Sequence, residues 1–156
     1  MRPRRGSTPR KAGDDDLGAV LEFMRVLWAV NHSLESMSKQ MKRRFGVTGR
    51  DRIVVRLIGS RPGTSAGELA EVLHVDPSTL TGVLGRLVKR GLVSRTAHPE
   101  DARRAVLILT RGGREIDQMR TGTIEARVRE ALAQVSQADA RAAAKVLSKL
   151  AALLSS

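Results

Sequence analysis

The stretch "SAGELAEVLHVDPSTLTGVLGRLVKRG", Ser65 to Gly91, constrains the fold more than any other part of the chain. Ser65 is a helix N-cap, and Glu68 three residues on completes a capping box, with Leu69, Val72 and Leu73 turned inward. Asp76 caps a second helix that starts with Pro77 at its first position. That helix carries an inward row of Leu80, Val83, Leu84, Leu87 and Val88 and stops at Gly91 after Lys89 and Arg90. Only "HVDP" joins the two. Two short amphipathic helices linked this tightly must cross at a steep angle over a shared core, which is the helix-turn-helix pattern. The outward residues of the second helix are Ser78, Thr79, Thr81, Gly82, Gly85, Arg86, Lys89 and Arg90. They are small or hydroxylated at the N-terminal end and basic toward the C-terminal end. Base edges followed by backbone phosphates on duplex DNA call for this order, although an average solvated helix face is the competing reading.

The flanks complete the unit. "VTGRDRIVVRLIGSRPG" opens with Thr48 as N-cap and Asp51 three residues on, and it ends at the loop Gly59 to Gly63. After Gly91, "LVSR" and "AVLIL" are short aliphatic runs around a polar tip and read as a hairpin, which adds a wing. Outside this lobe the 3-4 spacing of helices returns. Leu17, Val20, Leu21, Met24, Leu27 and Trp28 form one stripe, and Phe23, Val26, Val30, Leu34 and Met37 form a second. Ile116, Met119, Ile124, Val128, Ala131, Leu132 and Val135 predict one long helix, and Val146, Leu147, Leu150, Leu153 and Leu154 predict another beyond a break near Ser136. A helix apolar on two sides needs two partners to cover it, which favours a two-fold dimer over a monomeric bundle. The expected fold is mostly α with a small β-hairpin wing: a winged helix-turn-helix lobe over 46–110, and a helical dimerisation region over 17–45 and 111–154. Residues 1–16 lack apolar periodicity and read as a disordered basic arm, either a solubilising tail or an auxiliary phosphate contact.

Charge and composition narrow the partners. The 156 residues carry a formal net charge of +12, which favours a polyanion. Of the cations 22 are Arg and 6 are Lys, and Arg is the one that binds phosphate or guanine bidentately. With Phe23, Phe45 and Trp28 as the only aromatics, stacking platforms for unpaired bases cannot be built in number, so duplex DNA is preferred over single strands. The absence of cysteine removes disulfides and thiol-based sensing or catalysis. No apolar run approaches the ~20 residues of a membrane span, so a cytoplasmic protein without membrane contact is expected. His32, His74 and His98 are too scattered for a zinc site, and no cofactor, metal or catalytic residue is expected.

The span "LAEVLHVDPSTLTGVLGRLVKRGLVSRTAHPEDARRAVLILTRGG" resembles the MarR (multiple antibiotic resistance regulator) family of winged-helix transcriptional regulators. The hallmark is Asp101, Arg103, a short strand over 105–108, then Leu109, Thr110 and Gly113. The resemblance covers about Leu17 to Leu154. It implies a homodimer made by the terminal helices, double-stranded DNA with a pseudo-palindromic site as partner, and insertion of Arg103 into the minor groove. It also implies a small-molecule effector such as an aromatic acid, for which Trp28, His32 and Arg56 are candidate neighbours. Arg56 lies in the short helix that Thr48 caps, and Trp28 is read as a core residue of the dimer-forming helix.

In "HPEDARR" the neighbouring Glu100 and Asp101 do not converge across a cleft, and the cations beside them keep them ionised, so acid/base catalysis is not expected. Asp101 is instead a holder that pre-orients Arg103, with Arg104 on phosphate and Glu100 plain surface. The DNA-contact candidates are Ser65, Pro77, Ser78, Thr79, Thr81, Gly82, Arg86, Lys89, Arg90, Arg95, Asp101, Arg103 and Arg104. The expected function is that of a dimeric, sequence-specific transcriptional regulator, a repressor released by an effector. The rivals are a sequence-indifferent architectural DNA binder and a winged-helix protein-interaction module.

Overall fold

The computed structural model describes residues 12–98, 100 and 105–155, the side chains of 12–16 excepted. Seven helices and one hairpin follow in order among these residues: α1 (Ala12–Phe45), α2 (Gly49–Ser60), α3 (Ala66–Leu73), α4 (Pro77–Lys89), β1 (Val93–Ala97), β2 (Ala105–Leu109), α5 (Arg111–Gln118), α6 (Ile124–Leu132) and α7 (Gln137–Leu154). The chain divides within α1 into two units, residues 1–36 and 37–156. Among the described residues no helix is long and apolar enough to cross a membrane.

In the first unit α1 is already helical at Ala12, ahead of Leu17 where the apolar spacing begins. Acidic residue types suit a helix start because they complement the positive end of its dipole, and this signal is independent of hydrophobic period. Most of both predicted stripes is exposed in the single chain, Leu17, Met24 and Val30 among them, and Trp28 is 78% exposed there, while Leu27 and Met37 are half-buried.

The second unit holds the core. Val47, Val54, Val55, Ile58, Leu69, Leu80, Leu84, Leu87, Val93, Leu107 and Leu109 pack together, drawing on α2, α3, α4 and both strands. Two of the predicted inward residues lie outside it. Val72 and Val88 are exposed, and Ala70 is buried in place of Val72. Each helical residue turns about 100° from the last, so Val88 rotates off the axis set by Leu80, Leu84 and Leu87, and the short α3 has room for only one inward edge.

The hairpin is antiparallel with Val93 opposite Leu109 and Ala97 opposite Ala105. The other edge of β2 is also used, since Leu107 N donates to Thr64 O and Gly63 N donates to Leu107 O. The loop before α3 therefore anchors the wing from a second side.

The segment expected as a single helix from Ile116 to Val135 is two. α5 ends at Gln118, Met119 is extended, Gly122 takes a φ of +69°, and the buried Thr123 caps α6 through a bond from Ala126 N. The sequence carries the reason: Met119 to Ile124 is a five-residue step, off the 3-4 spacing. The break near Ser136 is where the sequence put it, with Ser136 capping α7.

Leu109-Thr110-x-x-Gly113 is explained by contacts. Leu109 is core, and Thr110 caps α5, its Oγ1 accepting from Gly113 N at 3.1 Å and donating to Gly91 O at 2.6 Å. A Cβ on Gly113 would stand 2.0 Å from the Leu92 carbonyl oxygen, so the helix can meet the β1 entry only without a side chain there. Gly113→Ala is therefore expected to lower the melting temperature sharply. Leu84→Ala should cost about 2–5 kcal/mol and Val88→Ala much less, measured by urea unfolding.

Candidate nucleic-acid interface

Helix α4 is held by its apolar side and left open on its polar side. Leu80, Val83, Leu84 and Leu87 are buried, while every other residue from Pro77 to Arg90 is exposed. The turn that sets its angle is built by His74, which adopts the left-handed conformation (φ +50°) as the C-cap of α3; Val75 N then donates to Ala70 O. His is among the residues that tolerate this region best after Gly, Asn and Asp.

At the N-terminal end, Asp76 Oδ1 accepts from Ser78 N at 2.7 Å and from Ser78 Oγ. These two bonds, the side-chain one first, hold the Asp76 carboxyl below the usual carboxylate range. Thr81 Oγ1 donates to Pro77 O, leaving its lone pairs outward. Gly85 has open space where a Cβ would stand, and at Gly82 only the Arg86 guanidinium comes near, with Nη1 at 3.9 Å. Thr79 and Lys89 are exposed, as is Arg95 on β1.

Besides Ser78 and Thr81, three further predicted contacts have structural partners. Ser65 Oγ caps α3 by accepting from Glu68 N. Arg90 Nη1 donates to the Gly46 carbonyl, and Arg86 Nη2 stands 3.5 Å from Asp51 Oδ1. Asp101, Arg103 and Arg104 lie outside the described residues.

The effector candidates are placed separately. Trp28 and His32 are exposed in the first unit. In the second unit Arg56 pairs with Asp117 at 2.7 Å. Beside it lies an ion pair that sequence reading missed: Arg52 is 2% exposed and donates to Glu125 Oε1 at 2.9 Å and to Met119 O at 2.7 Å. Burial pushes its guanidinium below the ordinary arginine value, and Glu125 opposes that shift. The partner is 73 positions away, so the only available signal was an arginine interrupting the apolar pattern of α2. Among the described residues no cluster of His, Cys, Asp and Glu could hold a metal ion.

A tight two-helix turn, an exposed polar second helix and an adjoining antiparallel hairpin define a winged helix-turn-helix protein. Residues 53–105 match the MarR family model. The multiple antibiotic resistance protein MarR of Escherichia coli is 29% identical over 106 residues, spanning 68% of this chain and 74% of that protein. Its mutant form complexed with operator DNA superposes with a TM-score of 0.66 at 25% identity, covering 85% of this chain and 95% of that one. An HTH-type transcriptional repressor of Mycobacterium tuberculosis is 28% identical over 106 residues, 68% of this chain and 76% of its own length. The PcaV transcriptional regulator of Streptomyces coelicolor, solved with its natural ligand, shares the fold with a TM-score of 0.65 at 21% identity, covering 81% and 89%. In its winged helix-turn-helix lobe and in its fold the chain is thus similar to MarR-family transcriptional regulators.

The cap of α4 yields a pH prediction. Because the folded Asp76 carboxyl sits below its unfolded value, its stabilisation is complete above the ordinary carboxylate range and is lost as pH falls through the lowered folded value. Amide exchange at Ser78 and Thr79 should be unchanged from pH 8 to 5 once corrected for intrinsic rate, and Asp76→Ala should accelerate it throughout.

Proposed function

We propose that this protein is a homodimeric, sequence-specific transcriptional repressor of the cytoplasm. Helix α4 enters the major groove, the wing from Arg95 to Arg104 lies over the adjacent minor groove, and the two half-sites stand about one helical turn, ~10 bp, apart. The carrying observation is the division of α4, in which Leu80, Val83, Leu84 and Leu87 are buried and the hydroxyls, glycines and cations are all exposed. The E. coli relative solved on operator DNA and the mycobacterial repressor support the reading.

Dimerisation follows from uncovered apolar surface. Neither α6 nor α7 buries a single residue in the chain alone, and Val128, Leu132, Val146, Leu147, Leu153 and Leu154 are exposed. Single-chain proteins seldom leave so much contiguous apolar area in water. Sedimentation should give a dimer at micromolar concentration, and a monomer that still bound its operator would refute the two-fold arrangement.

Release by a small amphipathic effector completes the proposal, supported by the ligand-bound PcaV regulator of the same fold. A rigid operator fixes the spacing of the two recognition helices, so an effector that favours another spacing lowers affinity. Trp28 is the chain's single tryptophan, and its fluorescence can be followed alongside DNA release.

Selection from random duplex followed by titration tests the core claim. The selected site should bind ~10³-fold or more tighter than random duplex, whereas equal affinities would leave a sequence-indifferent binder driven by the +12 charge. Arg103→Ala should weaken the selected site and relax preference at its A/T-rich flank. Lys89→Ala should weaken all duplexes alike and reduce the salt slope by about one.

A further inference from the structure

The recognition helix does not present all its cations freely. Arg86 and Arg90 both reach back to the junction of α1 and α2, Arg90 to the Gly46 carbonyl and Arg86 to Asp51 in the first turn of α2. Asp51 is 5% exposed and its two oxygens have different work. Oδ2 accepts from Thr48 N at 3.0 Å while Asp51 N donates to Thr48 Oγ1 at 3.1 Å, which closes the capping box of α2. Oδ1 is left to face Arg86 Nη2 at 3.5 Å. A buried carboxylate needs both oxygens matched, and the cap matches only one.

The Arg86 side chain remains 58% exposed, so it leans on Asp51 through one edge and offers its other N–H groups to solvent. Its Nη1 stands 3.9 Å from where a Cβ of Gly82 would be, one turn back on the same helix. The guanidinium is thus laid along the outward face of α4, over a position with no side chain to obstruct it.

We propose that Asp51 is a positioning residue for DNA readout: from within α2 it orients the Arg86 guanidinium over Gly82, so that Arg86 reads a base edge instead of acting as a mobile charge on phosphates. Two physical effects follow. Orienting a long side chain before docking removes part of the entropy it would otherwise lose on binding. The adjacent negative charge also weakens the attraction of Arg86 for phosphate at large, which lowers sequence-indifferent binding. Both raise selectivity, and both rest on the DNA-binding reading above.

The test uses the full-length protein and two probes, the tightest 30-base-pair duplex that wild type selects from a random pool and unselected random duplex. Asp51→Asn keeps an acceptor for Thr48 N and removes the charge. Selected-site affinity is expected to fall about five- to tenfold, within the range of a lost bidentate base contact. Random-duplex affinity should hold or rise, with its salt slope steeper by up to about one. Asp51→Asn should add nothing to the selectivity loss of Arg86→Gln, since the first acts through the second. Arg86→Lys leaves the cap untouched and keeps charge without the planar fork; it should lose selectivity while retaining the salt slope. The proposal is overturned if Asp51→Asn leaves the selectivity ratio within twofold, if its effect adds fully to that of Arg86→Gln, or if Arg86→Lys is silent. A wild-type protein that selects no sequence overturns the DNA-readout reading and this inference together.

Discussion

Burial of the Leu80, Val83, Leu84 and Leu87 row is the constraint on which the rest depends. At 2%, 6%, 0% and 0% exposure these four side chains fasten α4 to α2, α3 and the hairpin, and the rigidity of the opposite face is a by-product of that packing. A polar helix face built this way needs no support on its outer side. Small residues can therefore stand there, and the glycines at 82 and 85 cost helix propensity without leaving a cavity.

The wing inherits its position from the same core. Leu107 and Leu109 are buried with α4, and Leu107 also bonds the backbone at Thr64. Thr110 then stops the strand and starts α5 within a single residue, bonding Gly91 on one side and Gly113 on the other. The Leu-Thr-x-x-Gly run at 109–113 is thus a joint between strand and helix, made tight enough that only glycine fits against Leu92.

Net charge overstates how many arginines are available to a polyanion. Arg52 and Arg56 are spent on Glu125 and Asp117, Arg114 donates to Leu109 O, and Arg90 to Gly46 O. The guanidinium's planar set of donors, which favours phosphate and guanine, also favours carbonyls and carboxylates inside the protein. Arginine enrichment alone does not separate the two uses. Residue position does: Lys89 and Arg95 are exposed on α4 and β1, whereas Arg52 lies beneath the surface.

Sequence alone determined what depends on near neighbours. Capping boxes at Thr48 and Ser65, the Asp76–Pro77 start, the inward leucines of α4 and the hairpin boundaries are all set within a few residues, by hydrogen bonds and helical period. The exposed polar residues of α4 were legible for the same reason, as the remainder after the apolar row is removed. Tertiary structure decided what depends on distant ones. Asp51 reads as a cap in one dimension and becomes a holder of Arg86 only when α2 and α4 meet. Arg52 finds Glu125 across 73 positions, and Val72 and Val88 lose their inward places to rotation about the helix axis. Local hydrogen bonds and period act along the chain and leave their mark in residue order, whereas a charge pair is satisfied by whatever the fold brings within reach, and no spacing rule records it.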